Sequence, residues 1–295
     1  ASPQAASALG QTRQGGDLFL VRAYGSQAVR GPFNLEARRA AGWMRWAYGA
    51  VDLMVDIGPC MRERLLRYRS DEKNFATLIP WALVEPGEDL KPDSREREAL
   101  FGPDAELALL YAGNLGKAHD FELFLRLARR VAETNPRIVF AFAFRGNRLD
   151  ELRAAIRPGV RNIRLAGFCD ESRLAGRLAS ADIHLLSLRP QWEGIVVPSK
   201  FFGSLAAGKP VLYAGPRTSS VARWIRQYDL GMILSEETFE QTARWLLETA
   251  HHPSRLGRFA VNALKASRNH FSRAAVMDQW DRLLRERLEK TGEAG

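Results

Sequence analysis

The sequence has little cysteine and no long hydrophobic run. Its 295 residues include two cysteines, Cys60 and Cys169, too few and too far apart for a disulfide framework or a cysteine-based metal cluster. Isolated thiols are typical of a reducing compartment, so we expect a cytoplasmic protein. The absence of any stretch of about 18 apolar residues excludes a helix that spans a bilayer. No spacing of His, Cys, Asp or Glu is typical of a metal site.

The first residues also lack large apolar side chains. Residues 1–16 are small and mostly polar, without the charged and then apolar order of a signal peptide. We expect them to form a disordered lead-in.

Acidic residues are fewer than basic ones. Lys and Arg total 43 against 34 Asp and Glu, for a formal net charge of +9. This excess predicts an anionic partner, which could be a nucleotide, a phospholipid surface or nucleic acid. The sequence contains no nucleic-acid recognition motif, so we expect no nucleic-acid partner.

Trp43 and Trp46 lie among arginines near the start of the chain. Aromatic rings at headgroup level, with arginines on the phosphates, suit contact with an anionic membrane surface. The alternative is a solvated helix face over a buried apolar one.

Apolar strands alternate with helical segments along the chain. Residues 17–85 predict a short β-α-β-α-β fragment, and the charged, proline-bearing residues 86–104 predict a linker. Residues 105–270 predict six nearly continuous apolar strands separated by helices, which is typical of a parallel sheet covered on both faces. We therefore expect an α/β protein in which a reduced Rossmann-like domain precedes a doubly wound one. Residues 271–295 predict a C-terminal helix that could pack back on the first domain.

A glycine-bearing turn follows the first strand of the larger predicted domain. The strand LALLYAGN runs into Gly113, Asn114, Gly116 and Lys117. Glycine lets the backbone bend tightly and approach a ligand, and we expect a helix to start here with free N–H groups that favour an anion. With the charge of Lys117 added, the turn predicts a diphosphate site. A plain strand-to-helix connection is the alternative.

A second loop follows the strand IVFAFAF. Gly146 permits a tight turn there, and Arg145 could reach a phosphate with two hydrogen bonds. In parallel sheets of this kind ligands bind at the carboxyl ends of the strands, so this loop and the first one should open on the same edge.

A third loop carries an acidic residue and a second helix start. Glu193 could accept hydrogen bonds from the hydroxyls of a sugar, and Pro198 at the first helical position predicts free N–H groups nearby. Lys200 in the first helical turn opposes the helix dipole, which an anionic ligand would explain. The alternative is an ordinary exposed lysine. The candidate binding residues of this loop are Val197, Pro198, Ser199 and Lys200.

Together these motifs resemble the glycosyltransferases with two Rossmann-like domains, called GT-B. The segments YAGNLGKAHDF, ADIHLLSL, VPSKFFG and AAGKPV are similar to those of the retaining family-four enzymes that build bacterial exopolysaccharide and O-antigen. The resemblance implies a UDP- or GDP-sugar donor, no cofactor or metal, and a saccharide or polyprenyl-linked acceptor at the inner face of the cytoplasmic membrane. It implies that Lys117 stabilises the leaving diphosphate and that Glu193 orients the sugar, which makes these two the candidate catalytic residues.

The chain departs from this family in two respects. The family's pair of glutamates would fall on Ile195 and Gly203, so the pair is absent and Glu193 is the replacement for its first member. The residues before the linker are too few for a normal acceptor domain, so we expect a chain truncated at its N-terminus. That shortness leaves open an accessory sugar-nucleotide-binding subunit that needs a partner chain or oligomer. An epimerase is a third alternative, but the acid and base for proton abstraction are absent from the front half.

Overall fold

The computed structural model describes residues 20–22, 35–82, 85, 90, 92–146, 148–157 and 159–292. The predicted lead-in, residues 1–16, lies outside the described residues.

The front of the chain forms a small parallel sheet. Its strands, in spatial order, are β1 (Leu20–Arg22), β2 (Leu53–Asp56) and β3 (Phe75–Thr77). The helices α1 (Leu35–Gly49) and α2 (Pro59–Leu65) separate them along the chain. All four residues of β2 are buried, as its position between two parallel neighbours requires.

A helix occupies the second half of the predicted linker. Helix α3 (Ser94–Phe101) begins where the Asp93 carboxylate accepts hydrogen bonds from the N–H groups of Arg95 and Glu96. Leu100 and Phe101 are buried against the larger sheet. The boundary predicted at residue 104 is therefore displaced, because the apolar end of this helix belongs to the core of the larger unit.

The larger unit is built on six parallel strands. They are β4 (Leu107–Asn114), β5 (Ile138–Arg145), β6 (Ile163–Ala166), β7 (Ile183–Ser187), β8 (Val211–Ala214) and β9 (Gly231–Leu234). The helices are α4 (Glu122–Ala132), α5 (Leu149–Ala155), α6 (Glu171–Ala179), α7 (Lys200–Ala206), α8 (Ser220–Tyr228), α9 (Phe239–His251) and α10 (Gly257–Ala266). The predicted alternation of strands and helices is confirmed.

The two faces of the sheet are covered by different helices. Leu109 and Tyr111 of β4 pack in the same cluster as α4, whereas Ala108 and Leu110 pack with α3. This is the two-residue period of a strand that is buried on both sides.

The strand order creates a crevice. The order is β6-β5-β4-β7-β8-β9, so the chain winds outward one way from β4 and then the other way from β7. Strand β4 pairs with β5 along its whole length but with β7 only at Leu109 and Leu110. Beyond Leu110 the neighbouring strands diverge, and this reversal point is where doubly wound sheets bind ligands.

The end of the chain returns to the small sheet. Helix α11 (Arg273–Gly292) follows a π-helical turn, Ser267–Phe271. Trp280 and Leu283 pack on the cluster formed by Leu53, Val55 and Leu78. The last helix thus bridges the two units.

Among the described residues, no helix combines the length and apolar character that crossing a membrane requires.

Candidate functional site

A cavity of about 340 Å³ opens at the crevice between β4 and β7. Its walls come from the carboxyl ends of β4, β5 and β7, the loop after β6, and the start of α7. Seven of the predicted binding residues line it: Gly113, Asn114, Arg145, Val197, Pro198, Ser199 and Lys200. Gly116, Gly146, Lys117 and Glu193 are not among the lining residues.

Among the described residues, Lys200 is one of the three cations that line this cavity, with Arg145 and Arg177. Its Nζ donates to the carbonyl oxygen of Asn114 at 2.8 Å and to the hydroxyl of Tyr111 at 3.1 Å. Gly113 has φ +109°, and a Cβ there would lie 3.3 Å from Lys200 Cε, so glycine leaves room for this side chain.

No described residue that lines the cavity is an aspartate or a glutamate. The ammonium of Lys200 therefore has neutral oxygens as partners, and burial lowers its pKa to about 7. A half-buried cation whose hydrogen-bond acceptors are neutral oxygens is a ready site for an anion.

Helix α7 begins later than the sequence predicted. Lys200 is its first residue and Ser199 its N-cap, so Pro198 lies before the helix rather than at its first position. Phe201 and Phe202 anchor the helix, because both are buried and pack against Trp224. This anchoring directs Lys200 across the crevice to the end of β4.

His119 is a neutral group in the cavity wall. Its Nδ1 donates to the carbonyl oxygen of Ser187 at 2.7 Å, which leaves Nε2 as an acceptor. Burial first, and then the charge of Lys200, lower the pKa of His119 to about 4. Arg148 fixes the turn by donating to the His119 carbonyl oxygen at 2.6 Å.

The turn at residues 113–117 is not the helix start that the sequence predicted. Helix α4 begins at Glu122, and the Asp120 carboxylate already accepts hydrogen bonds from the N–H groups of Phe121 and Glu122. An anionic side chain of the protein thus occupies the helix terminus. Lys117 is exposed to solvent in the loop between β4 and α4.

Gly146 has a structural reason to be glycine. Its φ is +145°, and a Cβ would lie 2.8 Å from the carbonyl oxygen of Leu115. The glycine therefore lets the loops after β4 and β5 touch. Arg145, beside it, donates to Asn114 Oδ1 at 3.3 Å and its Cζ lies 4.2 Å from the ring centroid of Phe168.

Glu193 lies where the two units meet. Its Oε1 accepts a hydrogen bond from the Thr218 hydroxyl at 2.7 Å, and its carbonyl oxygen accepts one from Arg64 of α2 at 2.8 Å. The next residue, Gly194, packs against the carbonyl oxygen of Cys60. The structure therefore does not bring Glu193 and Lys117 together in the cavity. The side chain of Glu193 is hydrogen-bonded to Thr218, and its carbonyl oxygen to Arg64 of α2.

Several lining residues were not candidates from the sequence. Among them are His119, Phe168, Cys169, Arg177 and His184. Phe168 carried a usable signal, since it is a large aromatic residue that follows a glycine directly after a strand. His184 is buried and hydrogen-bonded to Ser204 and to the Leu178 carbonyl oxygen.

The described part of the chain contains no group of three or more His, Cys, Asp or Glu that could hold a metal ion.

Comparison with known proteins identifies the fold. No family model matches the sequence. A curated protein of Pseudomonas aeruginosa, the probable glycosyltransferase WbjE, is 25% identical over 188 residues, which are 62% of this chain and 46% of that protein.

Solved structures match over most of this chain. The HepE protein of Anabaena, in complex with UDP, matches with a TM-score of 0.66 at 12% identity, over 91% of this chain and 72% of that one. WaaG, a glycosyltransferase involved in lipopolysaccharide biosynthesis, matches with a TM-score of 0.59 at 18% identity, over 84% of this chain and 67% of that one.

These likenesses show a GT-B fold, as the sequence motifs predicted. The chain spans about half the length of the curated relative that it matches.

Proposed function

We propose that this chain is the donor-binding part of a glycosyltransferase that transfers a sugar from a UDP-sugar to a saccharide or polyprenyl-linked acceptor in cell-surface polysaccharide synthesis. The observation that carries the proposal is Lys200, a cation whose hydrogen-bond acceptors are neutral oxygens, in a cavity at the reversal point of the sheet. The sequence relative is a probable glycosyltransferase, and the HepE protein was solved with UDP bound.

The cavity has the groups that a diphosphate needs. Lys200 donates to the carbonyl oxygen of Asn114 beside Gly113, and Arg145 donates to the side-chain oxygen of Asn114. A phosphate that both side chains reach would give each cation an anionic acceptor, and an arginine can bind a phosphate with two parallel hydrogen bonds.

The same cations would serve catalysis. When the bond between the sugar and the diphosphate breaks, negative charge grows on the leaving phosphate, and a fixed cation at that point lowers the barrier. We therefore assign this role to Lys200 and Arg145 without a metal, and by analogy with family-four enzymes we propose retention at the sugar carbon. Activity that survives excess EDTA would support metal independence, and activity lost until Mg²⁺ is restored would contradict it.

An anionic membrane surface is proposed as the place where the acceptor is met. Trp43 and Trp46 are 59% and 62% exposed on α1, and their ring centroids lie 6.4 Å apart. Arg39 and Arg45 are exposed on the same helix. Exposed indole rings flanked by arginines match the chemistry of a phospholipid headgroup layer. This contact would keep the protein at the cytoplasmic face of the membrane.

The binding experiment is titration calorimetry of the chain with UDP. We expect Lys200→Ala to weaken UDP binding by roughly 10- to 150-fold, because a hydrogen bond to a charged group contributes about 1.5–3 kcal/mol. The matched control is Lys265→Ala, since Lys265 is an exposed lysine on α10. Equal UDP affinity in all three proteins would contradict the proposed site.

Turnover is measured separately, as UDP released from a panel of UDP-sugars with and without an oligosaccharide or polyprenyl-linked acceptor. Release that depends on the acceptor supports a transferase. UDP binding without any release would instead favour the accessory subunit that needs a partner chain.

A further inference from the structure

An aromatic ring stands at the mouth of the cavity. Phe168 is 48% exposed although it lines the cavity, and the guanidinium of Arg145 lies over its ring with Cζ 4.2 Å from the centroid. Because the ring both lines the cavity and remains exposed, one of its surfaces is available to a ligand in the cavity.

A chain of contacts links Lys200 to Phe168. Lys200 touches Asn114, Asn114 touches Arg145, and Arg145 lies on Phe168. The ring of Phe168 therefore lies next to the proposed phosphate site, where the planar base of a nucleoside diphosphate can meet it.

Arg177 holds the loop that carries Phe168. Its Nη1 donates to the carbonyl oxygen of Gly167 at 2.6 Å, and its Nε donates to Glu96 Oε1 at 2.5 Å. Glu96 and Arg177 are only 5% and 8% exposed. The other carboxylate oxygen of Glu96 accepts a hydrogen bond from Arg173 at 2.6 Å, so both oxygens of the buried carboxylate have a cationic partner.

Helix α3, which carries Glu96, is fixed independently of Arg177. Arg97 forms an ion pair with Asp182 at 2.8 Å and donates to the carbonyl oxygen of Ser180 at 2.8 Å. The Ser180 hydroxyl in turn donates to the carbonyl oxygen of Asp93. Glu96 is thus a rigid point from which Arg177, and through it Gly167, is positioned.

We propose that Glu96 is a positioning residue for the donor: through Arg177 it fixes the loop of residues 167–169, so that Phe168 with Arg145 above it forms the stacking wall for the nucleotide base. This inference rests on the proposed function, because it requires a nucleotide in the cavity. An aromatic ring can stack on any nucleotide base, so this wall would add affinity for the nucleotide without selecting the base. The hydrogen-bonding edges of the base would remain free to contact other groups.

The test compares two ligands, UDP and inorganic pyrophosphate, by titration calorimetry. Phe168→Ala should weaken UDP by about 5- to 150-fold, the range for loss of one base–aromatic stack, and should affect pyrophosphate far less, because Lys200 and Arg145 both remain. Glu96→Gln should weaken UDP in the same direction with pyrophosphate unchanged, because only the base contacts the loop. The control is Leu165→Ala, which removes an exposed apolar side chain of the adjacent strand β6 that does not line the cavity.

Circular dichroism and thermal midpoints check that each variant is folded. Should Glu96→Gln not fold, Arg177→Lys takes its place, because one ammonium cannot reach both Glu96 and the Gly167 carbonyl oxygen as the guanidinium does. A purely structural role of the pair would weaken both ligands alike, and that result would overturn the inference.

The outcomes separate this inference from the proposed function. If the unmodified chain binds UDP and Phe168→Ala has no effect, the inference falls and the proposed function stands. If the unmodified chain binds neither UDP nor pyrophosphate, the proposed function falls and the inference falls with it.

Discussion

The Nζ atom of Lys200 lies 4.4 Å from the ring centroid of Tyr111 and 3.1 Å from its hydroxyl oxygen. The lysine therefore packs over an aromatic ring and donates to a neutral hydroxyl instead of pairing with a carboxylate. Burial without a counter-charge disfavours the ammonium, which is why the pKa of Lys200 falls to about 7.

This lowered pKa predicts a pH dependence of ligand binding. Below pH 7 the free protein already carries the charge on Lys200, so binding requires no proton there. Above pH 7 the free lysine is neutral, and a bound diphosphate must recruit a proton to it. We expect UDP affinity to decrease from pH 7 to pH 9, by at most about tenfold per unit.

Calorimetry at several pH values measures this slope. In Lys200→Arg the guanidinium stays charged throughout this range, so the slope should disappear while binding persists. His119 also lies in the cavity wall, but its pKa of about 4 keeps it neutral from pH 7 to pH 9. An unchanged slope in Lys200→Arg would show that another group titrates.

Two lysines compete for the role of diphosphate ligand. Lys117 is exposed in the loop after β4, whereas Lys200 lines the cavity. We expect Lys117→Ala to weaken UDP binding less than Lys200→Ala does, because an exposed charge acts through water that screens it. Titration of both variants at low and physiological salt measures the difference. A larger loss in Lys117→Ala would restore the role that the sequence motif predicts for it.

The sheet could be predicted from the sequence because its signals are local. Continuous apolar runs of strand length, such as residues 138–144, favour strands that are buried on both faces, and a turn and a helix follow this one. The helix within the linker was harder to predict, because the segment around Ser94 is charged and only two of the buried residues of α3, Leu100 and Phe101, are apolar.

The site could be predicted only in part. Backbone groups such as Gly113 and Asn114 belong to strand ends, and the strand order alone carries them into the crevice. The direction of a long side chain has no such local signal: Lys200 is directed by the packing of Phe201 and Phe202, and Glu193 by its bonds with Thr218 and Arg64. Contacts between segments far apart in sequence decide both.

Substitution of Gly194, at the junction of the two units, should lower the stability of the protein. Gly194 has φ +72°, and a Cβ there would lie 2.6 Å from the carbonyl oxygen of Cys60. Gly194→Ala should lower the free energy of unfolding by about 1–3 kcal/mol, because the backbone is strained and α2 must move away. Urea unfolding measures the change. Gly257→Ala is the control, since a Cβ there meets no atom within 4 Å, and a similar loss in it would contradict the explanation.

The surface of α1 predicts selective membrane binding. The chain should sediment with vesicles that contain phosphatidylglycerol and much less with pure phosphatidylcholine, and added salt should release it. Replacing Trp43 and Trp46 by alanine should reduce the bound fraction, whereas Leu288→Ala, an exposed apolar residue of α11, should not. Equal binding of the double variant would mean that the two rings belong to a solvated helix face.

The buried pair of Glu96 and Arg177 predicts a loss of stability in acid. Burial alone would raise the pKa of Glu96, but the hydrogen bonds from Arg177 and Arg173 outweigh it and lower the pKa. A carboxyl group whose pKa is lower in the folded state stabilises that state fully above its unfolded value, which is 4.5 here, and loses the contribution as the pH falls through the folded value. The unfolding free energy should therefore decrease below about pH 4.5.

In Glu96→Gln the free energy of unfolding should already be lower at neutral pH, by roughly 3 kcal/mol, since the buried Arg177 loses its counter-charge. Urea unfolding at pH 7, 5.5 and 4 measures both effects, with Glu133→Gln as a control, because the Glu133 pair with Arg130 is exposed. If Glu96→Gln loses stability in acid as steeply as the unmodified chain, the carboxylates responsible lie elsewhere in the protein.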